Sequence, residues 1–123
     1  MILDDKIELL NFPDKKERFK VIQIYVDEKP YLVCGSMSFN HYEILKNFLE
    51  ERKINFQMIQ LRQNFTIPSS NGERYKVCGM GEAEVFPEIK FFQLPYGSSH
   101  DYKIGTDKAF NDRLKELFIG WEF

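Results

Sequence analysis

Phe19-Lys20-Val21-Ile22-Gln23-Ile24-Tyr25-Val26-Asp27 is the stretch from which the fold is read. β-Branched and aromatic residues dominate it, and such side chains suit a pleated, half-buried strand. Glu28-Lys29-Pro30 breaks the run and Tyr31-Leu32-Val33-Cys34-Gly35 resumes it, so the pair predicts a β-hairpin. Within the first strand, alternation turns Lys20 away from the face of Phe19 and Val21. A lone lysine at a strand start is ordinarily solvated, so its position alone does not make it functional.

Upstream, Met1 to Asn11 carries Ile2, Leu3, Ile7, Leu9 and Leu10, enough to pack as an arm or edge strand. Asp14-Lys15-Lys16-Glu17-Arg18 reads as a solvated turn, which makes 1–18 an N-terminal arm. Downstream, Ser38 is a good N-cap for a helix running to about Arg52. Tyr42, Leu45, Phe48 and Leu49 form its apolar stripe. Phe56 to Ile67 is strand-like, Pro68-Ser69-Ser70-Asn71-Gly72 is a turn, and Arg74 to Val85 resumes as a strand interrupted by Gly79 and Gly81. The arms around Asn71-Gly72 predict a long hairpin.

Phe86-Pro87-Glu88 then turns into a strand over Ile89–Leu94. A loop, Tyr96-Gly97-Ser98-Ser99-His100-Asp101-Tyr102, leads to a second helix over about Asp107–Leu117, with Phe110, Leu114, Leu117 and Phe118 on one face. Ile119–Phe123 reads as a short final strand or tail. Strands and two helices that do not alternate strictly predict an α+β fold, a mixed β-sheet flanked by two helices with an extra β-hairpin. At 123 residues this is one domain, 1–123.

A hydrophobic content of 43%, with 15% aromatic, excludes a disordered chain. The net charge is −2 and the Lys and Arg residues are scattered among Asp and Glu, which argues against a nucleic-acid partner. Cys34 and Cys78 have no second ligand at metal spacing; reduced core thiols are expected, with a disulfide between them left open. Met1 to Lys6 is too polar for a signal peptide and no apolar run reaches spanning length, so the expectation is a soluble, cytoplasmic protein without a membrane partner.

Two groups of residues could carry chemistry. The first-turn position of His41 disfavours the imidazolium and keeps the ring neutral, able to accept a proton. More often such a histidine simply packs on the core. The loop Gly97, Ser98, Ser99, His100 and Asp101 follows a strand and exposes N–H groups beside hydroxyls, an arrangement that can cradle an oxyanion, although Gly/Ser loops are usually connections. His100 is either a ligand contact or merely exposed. Neither histidine has the partners of a zinc ligand. Gly79-Met80-Gly81 lacks the third glycine and following helix of a dinucleotide fingerprint, and no phosphate-binding Gly-Lys-Ser/Thr loop, nucleophile elbow or His-Glu-x-x-His is present.

In order, these segments resemble the Janus/Ocnus family, whose best-known members are protein histidine phosphatases. The resemblance begins at Phe19-Lys20-Val21-Ile22-Gln23-Ile24-Tyr25-Val26, continues through Gly35 and the histidine of "GSMSFNHYEIL", and passes Gly79-Met80-Gly81. It is fullest at "YGSSHDY", which fits the family's Tyr-Gly-x-Ser-x-x-Tyr loop. It implies His41 as base or nucleophile, Lys20 as a supporting cation, and Ser99 with the amides from Gly97 to Asp101 as phosphate holders. No metal and no cofactor are implied. The substrate it implies is a phosphoprotein or small phosphorylated ligand. Against the family, Gln57 to Tyr75 (57–75) reads as a hairpin insertion, which could cap the site, mediate homodimer formation or bind a partner.

The chain departs from the pattern where the family commonly has arginine after its glycine run. Glu82 stands there, a carboxylate that repels phosphate if it faces the pocket. Lys103 replaces a glycine after the loop's second tyrosine and could restore positive charge. Two rival expectations stay open: a non-catalytic phosphate- or nucleotide-binding module, and an interaction domain using Phe56, Phe65 and Tyr75.

Overall fold

The hairpin read from residues 19–35 is the middle of a six-stranded mixed sheet. The computed structural model describes residues 6–55, 62–69 and 71–123. Strands β2 (Glu17–Val26) and β3 (Lys29–Ser36) pair antiparallel, from Phe19 opposite Ser36 to Val26 opposite Lys29. Only Asp27 and Glu28 connect them, at φ 48° and 71°. Two consecutive left-handed residues are the requirement of a two-residue type I′ hairpin turn. The turn therefore falls earlier than Glu28-Lys29-Pro30, and Lys29 and Pro30 already belong to β3.

Strand β1 (Glu8–Leu10) adds in parallel to the outer edge of β3, so this part of the arm is an edge strand. Glu17 and Arg18, read from sequence as part of a solvated turn, open β2 instead. The far side of β2 pairs with the long strand β5 (Tyr75–Phe86). Two shorter strands share the other edge of β5: β4 (Phe65–Ile67) beside its first residues and β6 (Phe91–Tyr96) beside its last. The strand order is β1-β3-β2-β5-β4.

The expected long hairpin around Asn71-Gly72 is thus three residue pairs deep on its first arm, Phe65 to Ile67. Phe56, the proposed start of that arm, and Ser70 in its turn lie outside the described residues. Gly79 and Gly81 do not interrupt β5. A Cβ on Gly79 would sit 2.1 Å from Gln23 Oε1 and 2.7 Å from the Asp107 amide nitrogen. One on Gly81 would sit 2.4 Å from the Tyr96 carbonyl. The glycines are there because other chain segments cross the strand at contact distance.

One helix covers each face. Helix α1 (His41–Glu51) buries Ile44, Leu45, Phe48 and Leu49 against Ile22, Ile24, Val33, Tyr75, Val77 and Met80. Its N-cap is Asn40, not Ser38: Asn40 Oδ1 accepts from the Glu43 amide at 2.8 Å, and Glu43 Oε1 accepts from the Asn40 amide at 3.1 Å. This reciprocal capping box outcompetes Ser38, whose hydroxyl pairs with Ser36 Oγ.

Helix α2 (Lys108–Lys115) starts at the N-cap Asp107 and packs Phe110 and Leu114 with Phe19, Val21, Cys34, Cys78, Val85 and Phe92 on the opposite face. Leu117 and Phe118 follow it in a turn and still join that cluster. The last residues close as a single parallel bridge, Phe91 to Glu122. Cys34 and Cys78 are free and buried. Desolvation raises both thiols, Cys78 to about 12. No helix among the described residues is long and apolar enough to cross a membrane.

Candidate functional site

Registered neighbours on adjacent strands point to the same face of a sheet. Gly35 on β3, Lys20 on β2, Glu82 on β5 and Tyr96 on β6 form one such row, in the register Gly35–Lys20, Lys20–Glu82 and Glu82–Tyr96. Gly35 fixes which face this is, because a Cβ there would meet the Ile44 side chain of α1 at 2.5 Å. The row therefore lies on the α1 side, and His41, the first residue of α1, is held to the same strand. Its Nε2 and the Gly81 carbonyl oxygen are 2.9 Å apart. A carbonyl only accepts, so Nε2 carries the hydrogen, and the lone pair of the neutral ring sits on Nδ1.

His41 is 3% exposed. Burial, the largest cause, lowers its pKa from the ordinary 6.5; the Gly81 bond opposes this, Lys20 adds to it, and Asp101 and Glu82 oppose it. The ring is neutral at pH 7, as expected from sequence, although the leading cause is desolvation.

The loop after β6 reaches the same place. Asp101 Oδ2 accepts from the Tyr42 amide at 3.1 Å, satisfying a first-turn donor of α1. Tyr102 and Ile104 are buried in the α1-side core, with Tyr102 stacked on Phe65 at 6.0 Å between centroids. The Met80 amide donates to the Gly105 carbonyl at 3.0 Å, which seats the loop on the edge of β5 between β4 and β6. Gln63 straps it there, with Nε2 donating to the carbonyls of Cys78 and Thr106.

Lys20, His41 and Asp101 are thus brought together, and Glu82 joins them. Ser99 is 1% exposed and turned into the loop: its hydroxyl accepts from the Tyr102 amide at 3.1 Å and its amide donates to the Ile104 carbonyl at 2.7 Å. The hydroxyl and amide that the family pattern offers to phosphate here hold the loop's own turn. Gly97, at φ 78°, Ser98 and His100 are exposed on the same loop. Lys103 is exposed with φ 58°, and its amide closes the turn on the Ser99 carbonyl.

Sequence reading missed Arg18. Both its Nε, at 3.0 Å, and its Nη2 donate to Glu82 Oε1. Extending the alternation of β2 back by one pair would have placed Arg18 on the face of Lys20. The hairpin aromatics Phe65 and Tyr75 are buried under α1. Two open grooves lie away from His41. One, of about 460 Å³, runs between α1 and the β1 arm past Leu10, Phe39 and Phe48. The other, of about 590 Å³, runs past Tyr25, Thr66 and Lys76. Among the described residues no three His, Cys, Asp or Glu side chains converge as metal ligands.

Comparison with protein-family models, with curated proteins and with solved structures finds no match to this chain.

Proposed function

We propose that the protein has a Janus/Ocnus-type fold and acts as a phosphohistidine phosphatase on a phosphoprotein or small phosphorylated ligand, with His41 as its base or nucleophile. The observation that carries this reading is the fixed tautomer of a buried, neutral His41 beside the Lys20 ammonium. A ring committed through Nε2–H to a backbone carbonyl has its basic nitrogen defined without a carboxylate partner. Lys20 supplies charge where a phosphoryl group would gather it. Apart from the Ser99 amide, which is spent on the Ile104 carbonyl, the amides of the Gly97–Asp101 loop are the candidate donors for the remaining oxygens.

Two routes fit. His41 Nδ1 can attack phosphorus while the P–N bond to the substrate imidazole breaks, its electron pair leaving with that nitrogen, which takes a proton; water then releases phosphate from His41. Alternatively His41 Nδ1 takes a proton from water as the water attacks phosphorus and the same P–N bond breaks, the electron pair leaving with the substrate imidazole, which takes up a proton. Quenching in alkaline denaturant, where a phosphoramidate survives, and detecting phosphorylated His41 distinguishes them.

The test is phosphate release from a phosphohistidine peptide by wild type and His41→Ala. Turnover in the wild type and a loss of about 10²–10⁴-fold in the variant are expected. Full activity in the variant overturns the assignment. A second reading, a binding module of the same fold, is favoured by Ser99 being spent on its turn and by the Glu82 carboxylate. No turnover in either protein, with phosphate still perturbing His41 and Lys20 resonances, selects it.

A further inference from the structure

The row Lys20–Glu82–Tyr96 sets a carboxylate beside the one ammonium the proposed phosphate site relies on. Registered neighbours stand roughly 5 Å apart at Cβ, well inside the range where charges act on one another. An anionic ligand at His41 would therefore meet repulsion from Glu82 as well as attraction to Lys20. Arg18 answers that carboxylate. It lies two residues before Lys20 on β2, hence on the same face, and places two guanidinium nitrogens on Glu82 Oε1. Tyr96, in register with Glu82, also acts on the Arg18 guanidinium. The Glu82 side chain is 25% exposed and that of Arg18 is 53% exposed, so the pair is partly open to solvent and Arg18 is its more exposed partner.

We propose that Arg18 is a positioning residue that neutralises and holds Glu82, and that this ion pair is what makes the His41–Lys20 site compatible with an oxyanion. The inference rests on the phosphate-site reading above. Arg18 here acts through Glu82; it is not itself a ligand of the phosphate. The groups that bear on the His41 ring are Lys20 and, behind Glu82, Arg18 on β2, Glu82 on β5 and Asp101 in the loop.

The experiment is a cycle of wild type, Arg18→Gln, Glu82→Gln and the double variant, titrated with inorganic phosphate and followed by NMR at His41 and Lys20. The His41 ring is also titrated with pH in each. Arg18→Gln alone is expected to weaken phosphate binding about tenfold, the order set by one uncompensated charge at a partly exposed site. In the Glu82→Gln background the same change is expected to cost less than about twofold, because no charge is left to mask.

The pH arm has a definite sign. Uncovering Glu82 favours the imidazolium, so Arg18→Gln moves His41 titration to higher pH and the double variant moves it back. A merely structural role for Arg18 would not reverse on removing Glu82. Equal losses in both backgrounds overturn the inference and make Arg18 a direct ligand. No loss in either also overturns it. A wild type whose His41 and Lys20 resonances ignore phosphate overturns the phosphate-site reading and this inference with it, whereas a responsive wild type with an uncoupled cycle overturns this inference alone.

Discussion

Among the described residues Gln23 on the α2 side and His41 on the α1 side are large polar side chains buried on opposite faces of the sheet, and they are treated differently. Gln23 is fully buried and both ends of its amide are used. Its Nε2 donates to Asn111 Oδ1 at 2.7 Å, its Oε1 accepts from the Asp107 amide at 2.7 Å, and Asn111 passes the chain on to the Pro95 carbonyl. His41 has one ring nitrogen fixed on Gly81 and its basic nitrogen left over. A satisfied polar group ties elements together, whereas one with spare capacity in a buried site is available for chemistry. On the proposed reading the α2 side is scaffold and the α1 side is site.

The sharpest break of this contrast is the pair His41→Ala and Gln23→Leu. The first is expected to remove about 10²–10⁴-fold of turnover, with a stability cost of about 1–3 kcal/mol for the orphaned Gly81 carbonyl. The second should leave phosphate release intact and lower stability, each of the two orphaned groups costing about 1–3 kcal/mol. Urea unfolding beside the phosphate assay reads both quantities. If Gln23→Leu cuts turnover as deeply as His41→Ala at temperatures where it stays folded, the division between faces fails.

A smaller effect sharpens the site side. Asn40→Ala removes the cap that begins α1 at His41 and should cost about 1 kcal/mol. The informative readout is the His41 ring: if the cap sets its placement, its NMR signals shift together with those of Gly81.

Smallest is a pH effect. The folded His41 titrates below 6.5 because it is buried, so the unfolded chain binds the proton first as pH falls. His41 therefore costs increasing stability as pH falls from about 6.5 to its folded value, the full cost persists below that, and stability rises with pH across the window. His41→Ala should flatten the stability profile there. A variant profile parallel to that of the wild type would contradict the burial assigned to the ring.

What could be read beforehand follows from how local each signal is. The β2–β3 hairpin and both helices were legible because alternation and the 3.6-residue stripe are written in consecutive residues. The helix start was two residues off, although Glu43, three after Asn40, is the capping-box signal that separates it from Ser38. The role of Gly79 and Gly81 was illegible, because what crosses them, Gln23, Tyr96 and Asp107, is placed by tertiary structure. The Arg18–Glu82 pair was hidden for the same reason: it joins residues 64 apart across a strand register that itself shifts between Gln23 and Ile24. Of the candidate site, His41 and Lys20 were found as a lone helix-start histidine and a lone strand lysine; only the register shows them as neighbours.

The Met80–Gly105 hydrogen bond has a consequence for how copies of the chain meet one another. An outer strand with open N–H and C=O groups is a template onto which another chain can add. Here β4, the loop carrying Asp101, and β6 occupy successive lengths of that outer edge. The segment that frames the candidate site is also the plug that keeps the longest strand from recruiting a neighbour, so loosening it for the sake of ligand access would open the protein to aggregation.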